Sequence, residues 1–123
     1  MAIVRKVRRI HLSPREITAF GSRGVAMVSP GRVLEPVPGF GVHLATFAAG
    51  AVVGRHETRL WQLLAVVSGV GWASGADGIR VPLSSGDAVL WEPGELHESG
   101  SDAGMVAVLV ESPVVPVPVP DAG

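Results

Sequence analysis

The segment "GDAVLWEPGELHESG", residues 86–100, sets His97 among Glu92, Glu95 and Glu98 around a Pro93–Gly94 turn. Histidine changes charge near neutral pH, and a carboxylate beside it completes an acid–base couple. His97 with Glu92 or Glu98 is the candidate couple. The same residue types bind divalent metals, and a solvated, carboxylate-rich turn uses them too. The chain has three further histidines, His11, His43 and His56. A lone histidine is more often a surface or core residue than a ligand, so two that share one wall carry more weight.

His56 lies in "GAVVGRHETRLWQLLAVVSG", residues 50–69. Alternate residues of a strand face opposite ways, so Thr58 shares its face. A strand that resumes in phase after a turn adds Gln62, Leu64 and Val66 to that wall and turns Glu57 and Arg59 outward. The wall is polar at one end and apolar further in, which suits a pocket with polar groups near its mouth. Thr58, Gln62, Leu64 and Trp91 are the candidate ligand-binding residues. Trp61, Trp72 and Trp91 either line the pocket or pack in the core. Arg55 and Arg59 flank His56 and either greet an anionic ligand or are simply solvated.

Strands must hold these residues in place. Turn residues recur at roughly the 8–12-residue spacing of an all-β sandwich or barrel, and no stretch has a helical period. Strands are expected over 3–12, 40–53 and 105–112, with two short ones in 25–36. "WQLLAVVSGVGWAS", residues 61–74, reads as two strands meeting near Ser68–Gly71. "GADG" (75–78) is a hairpin loop, followed by a strand and turn over 79–87 and a strand at 88–94. Residues 13–24 are irregular, with one helical turn after Ser13–Pro14. The tail from 113 to 123 has Pro at 113, 116, 118 and 120, which keeps it out of a central sheet. One domain is expected, with N-terminal strands and loops in 1–39, a core in 40–112 and the Pro-rich tail beyond.

At this point the chain resembles a known family, the cupins, over about residues 40–112. Gly50, His56, Thr58, Gln62 and Gly69 stand at the spacings of the first cupin motif. Gly86, Glu92, Pro93, Gly94, His97 and Ser101 stand at those of the second, with Asp87 following Gly86 as is typical. The resemblance implies an all-β fold, a cupin-type jelly-roll antiparallel β-barrel of six to eleven strands. It also implies a divalent metal held by three histidines and a glutamate. Here only His56 and His97 keep that role. Thr58 replaces a histidine, Gln62 replaces the glutamate, and Glu92 stands where the family has proline.

Three readings follow from the resemblance. His56, Gln62 and His97 bind Zn, Ni, Fe, Mn or Cu with water completing the site. Alternatively Glu92 or Glu98 supplies a carboxylate to the two histidines, as in the facial triad of some non-haem iron enzymes. Otherwise the barrel is metal-free and the histidines hydrogen-bond a ligand or each other.

Composition closes several routes. With no Cys there is no disulfide, thiolate ligand or thiol nucleophile, and with no Tyr the His–Tyr pairing of metal-free cupin epimerases is unavailable. The net charge of −1 gives no global pull on nucleic acid or membrane. "RKVRR", residues 5–9, reads as a solvated edge strand or arm, since Lys and Arg blunt open sheet edges, with phosphate binding as the alternative. No apolar run is long enough to span a bilayer and no signal segment follows the basic N-terminus. No nucleotide fingerprint or Ser–His–Asp order occurs. The expectation is a cytoplasmic, homodimeric barrel that binds a small molecule. It is either a metal-dependent enzyme, oxygenase- or isomerase-like, or a non-catalytic sensory barrel.

Overall fold

Segments rich in Val, Leu and Ala form the strands, and glycines with positive φ mark many of the turns. The computed structural model describes residues 7–16, 18–23, 26–27 and 39–116. The strands in chain order are β1 (Arg8–His11), β2 (Arg15–Glu16), β3 (Ala26–Met27), β4 (Gly41–Phe47) and β5 (Ala51–Glu57). They continue with β6 (Trp61–Ser74), β7 (Val81–Ser84), β8 (Asp87–Trp91), β9 (Leu96–Ser101) and β10 (Met105–Ser112). One 3-10 turn, Ala19–Gly21, follows β2. Every pairing among the described residues is antiparallel. Of the two strands expected in 25–36, only Ala26–Met27 falls on described residues; most of that span, and the tail after Pro116, lie outside them.

β6 organises the barrel. Its first half lies between β8 and β10, and β10 also pairs with β4. Its second half lies between β7 and β9, and β9 also pairs with β5. One continuous strand therefore passes from one leaf of the barrel to the other, where two strands were expected. The reason is a register slip: Val106 opposes Ser68, yet Ala107 opposes Val66, so Val67 has no counterpart. A bulge of this kind bends a strand without ending it.

The span 40–53, expected as one strand, is two. The Ala51 N–H donates to the Ala48 carbonyl at 2.9 Å, and Gly50 takes a φ of 80°. That conformation suits glycine and closes the β4–β5 turn. The other unforeseen strand is β9, built from the histidine-bearing segment itself.

Two apolar layers form on opposite faces of β6 and β8. Leu64, Val66, Val89, Trp91, Met105 and Ala107 fill the barrel interior. Leu63, Ala65, Ala88 and Leu90 face the other way and are covered by Ile10, Leu12, Trp61 and Val110. Alternating residues of one strand thus serve both layers. Each fully buried aliphatic side chain contributes about 1.5–3 kcal/mol. β1 is pinned over the outer layer by Asp87, which lies 3.6 Å from the Arg9 guanidinium and accepts from the Ser84 N–H at 3.0 Å.

Candidate functional site

β5 and β9 pair so that His56 stands opposite His97. Their ring centroids are 4.3 Å apart with planes tilted by 54°. His97 is buried, with 3% of its surface exposed, and its ring also meets Trp91 at 4.7 Å. His56 is exposed. The β5–β9 register slips between Val53 and His56, and His56 Nδ1 lies 2.7 Å from the Gly54 carbonyl. A carbonyl only accepts, so Nδ1 carries the proton and Nε2 of the neutral ring is an acceptor.

His97 Nδ1 is buried without a hydrogen-bond partner among the described residues. Burial lowers the His97 pKa from its ordinary 6.5, and the neighbouring His56 lowers it further, against the pull of the His56 and Glu95 backbone. Both effects favour the neutral form of His97.

The two rings border an open cavity of about 460 Å³ whose polar lining includes Thr58, Arg59, Gln62 and Glu111. Thr58 is fixed three ways. Its N–H donates to the Glu95 carbonyl at 3.0 Å, its carbonyl accepts from Gly94 at 2.8 Å, and its hydroxyl donates to the Leu60 carbonyl at 2.8 Å. The Pro93–Gly94 turn thus clamps the β5–β6 connection beside the cavity. Gln62 donates from Nε2 to Glu111 Oε1 at 3.2 Å, and Glu111 Oε2 lies 3.6 Å from His43 Nε2.

Of the expected site residues, His56, Thr58, Gln62 and His97 come together around this cavity. Leu64 and Trp91 do not line it. Leu64 belongs to the interior core, and Trp91 is buried behind His97, donating from Nε1 to the Ser74 carbonyl at 3.1 Å. Nor do Trp61 and Trp72 line it; the first packs in the outer layer and the second lies under Arg80. Glu57 and Arg59, expected to face away, border the mouth: Glu57 is the last residue of β5, and Arg59 lies beyond it, where strand alternation no longer applies.

Glu92 is also corrected. It follows Trp91, whose side chain faces inward, so it turns to the outer side and its carboxylate lies 3.7 Å from Arg8 on β1. Glu98 accepts from the Ser74 hydroxyl at 3.3 Å, and Glu95 accepts from the Glu92 N–H at 3.1 Å, closing the turn. The two carboxylates expected to couple with His97, those of Glu92 and Glu98, thus lie against Arg8 and Ser74 instead. Besides Glu57 at the mouth, the carboxylate that lines the cavity is Glu111, which sequence reasoning missed. Its signal was parity: Met105, Ala107, Leu109 and Glu111 share one face of β10.

The family profile of the AraC-like ligand-binding domain matches residues 39–109, more than half of the chain. The chain is an AraC-like ligand-binding domain of the cupin superfamily. No curated protein matches this domain. Among solved structures it is similar to a cupin-like protein from Thermotoga maritima (25% identity, TM-score 0.58), with 61% of this chain and 58% of that one covered. A Cupin 2 conserved barrel domain protein from Salinispora arenicola gives 25% identity and a TM-score of 0.54, covering 63% and 70%. A cupin superfamily protein from Desulfitobacterium hafniense, 14% identical with a TM-score of 0.57, covers 90% and 81%. In this AraC-like domain, no described helix is long and apolar enough to cross a membrane.

The metal that the cupin resemblance implies can be tested against the donors present. Among the described residues no three His, Cys, Asp or Glu side chains gather closely enough to hold an ion. Zinc sites take three or four protein ligands. His56 and His97 supply two imidazoles, while Thr58 offers a hydroxyl already bonded to Leu60 and Gln62 a neutral amide. This set does not fit a resident divalent metal: Glu92 and Glu98 are held elsewhere, and Glu111 is engaged by Gln62 and His43 and forms no three-ligand group with the histidines among the described residues.

Proposed function

We propose that the barrel binds a small organic molecule in the cavity beside His56 and His97, without a resident metal and without turning it over. The observation that carries this reading is the His56–His97 pair bordering an open cavity of about 460 Å³. Such a cavity, with few convergent polar groups over an apolar core, has the form of a small-molecule site. Binding is favoured over catalysis by where the two expected partners of His97 lie: the Glu92 carboxylate is beside Arg8 and that of Glu98 accepts from Ser74. A sensory role, in which occupancy is the output, matches membership of a ligand-binding family.

The test is a ligand panel of small neutral sugars, amines and carboxylic acids, followed by imidazole ¹H–¹⁵N spectra. Binding compounds are expected to move the His56 and His97 signals and to lose affinity in His56→Ala. Compounds that bind tightly while leaving both imidazoles unmoved would place the site elsewhere and sink the proposal. Steady conversion of a bound compound to product would overturn the non-catalytic part alone.

A further inference from the structure

The cavity wall is rich in acceptors, because several of its donors are already committed within the protein. His56 Nδ1 donates to the Gly54 carbonyl, the tautomer in which Nε2 carries a lone pair. The Thr58 hydroxyl donates to the Leu60 carbonyl, which leaves the oxygen lone pairs. Gln62 gives one amide N–H to Glu111 and keeps its carbonyl. Glu111 can only accept when ionised, and Glu57 adds a second carboxylate at the mouth. Among the described lining residues Arg59 is the one Lys or Arg, and it is exposed like Glu57, so the lining sets two carboxylates against one guanidinium.

A wall of this kind recognises a donor. We infer that the ligand carries a protonated amine and that Glu111 is the residue that selects it; this rests on the proposed reading of the cavity as the binding site. A hydroxyl brings one donor, whereas an ammonium brings three and a charge that complements Glu57 and Glu111. Glu111 is well placed for the task. Gln62 holds Oε1 at 3.2 Å and His43 approaches Oε2 at 3.6 Å, so the carboxylate is oriented, yet its side chain remains 39% exposed and reachable. A carboxylate ligand at this position meets like charge instead.

Three probes of one shape separate the possibilities: benzylamine, benzyl alcohol and benzoate, titrated calorimetrically and by imidazole ¹H–¹⁵N spectra. Benzylamine is expected to bind most tightly and benzoate least. Glu111→Gln keeps the side-chain shape and is expected to weaken benzylamine by about tenfold or more, as loss of a charge-assisted hydrogen bond does. It should leave benzyl alcohol within about twofold. Asp102→Asn removes the same charge at an exposed loop position and controls for net charge. The ligand class is overturned if benzyl alcohol or benzoate binds as tightly as benzylamine, or if Glu111→Gln leaves the amine's affinity unchanged. In either case shifts at His56 and His97 still uphold the cavity. If none of the probes moves those imidazoles, the cavity itself fails as the site, and the inference falls with it.

Discussion

The exposed ring of His56 packs at 4.3 Å, centroid to centroid, on the buried ring of His97. Two imidazoles this close share one electrostatic environment, so a proton on one disfavours a proton on the other. Burial adds to the effect at His97, whose pKa lies below 6.5 in the folded chain.

That displacement predicts a pH dependence with a definite sign. Below pH 6.5 the unfolded chain protonates at His97 while the folded ring resists. The unfolded state then binds more protons, so stability falls as pH drops from 6.5 towards the folded-state value. Urea unfolding at about pH 7.5 and about pH 5.5 should show this loss in the wild type and a smaller one in His97→Gln. Equal losses in both would refute the assignment to His97.

Asp87 carries the opposite linkage. Burial pushes its carboxyl up, but the Ser84 N–H and hydroxyl and the Arg9 guanidinium outweigh that and hold it below 3.8. Its contribution is present above pH 3.8 and is lost as pH falls through the lower folded value. Asp87→Asn should cost about 1–3 kcal/mol at neutral pH, read as a lower Tm, and should flatten the acid limb of the stability curve. An unchanged Tm would mean that the bonds to β1 and Ser84 contribute nothing.

Gly100 lets β9 approach the ring of Trp72. A Cβ there would sit 2.5 Å from Trp72 Cζ2 and 2.9 Å from the Ala51 carbonyl. Gly100→Ala should therefore destabilise the barrel by about 1–3 kcal/mol through overpacking. Gly54→Ala, where a Cβ meets nothing within 4 Å, should change the unfolding midpoint far less. Similar midpoints for the two variants would contradict the close packing.

Metal binding gives a direct comparison of donor sets. Protein purified without a chelating tag should contain sub-stoichiometric metal by elemental analysis, and its Tm should not rise on adding zinc or nickel. The double variant Thr58→His with Gln62→Glu adds a histidine and a carboxylate to His56 and His97. It should gain a metal-dependent rise in Tm, since four such ligands suffice for zinc. A clear rise in the wild type at stoichiometric zinc would overturn the donor argument.

Much of the fold was legible because its signals are local. Turn residues at regular intervals and alternating apolar residues point to short strands in a sandwich or barrel, and the resemblance carried by Gly50, His56, Gly69, Gly86 and His97 implied the cupin form of it. The boundary errors fell where a local signal is ambiguous. Gly50 ends a strand, whereas the bulge at Val67 only bends one, and both sit in Val- and Gly-rich sequence.

Strand alternation in the sequence set His56, Thr58 and Gln62 on one wall, and the resemblance to the cupin motifs implied that His97 faces them. Only the tertiary structure decided which carboxylate joins them. Glu92 is five residues from His97 in sequence but turns out to Arg8, while Glu111, 49 residues from Gln62, bonds it across the β6–β10 register. Cross-strand register is set by the packing of whole strands, so nearness in sequence does not reveal it.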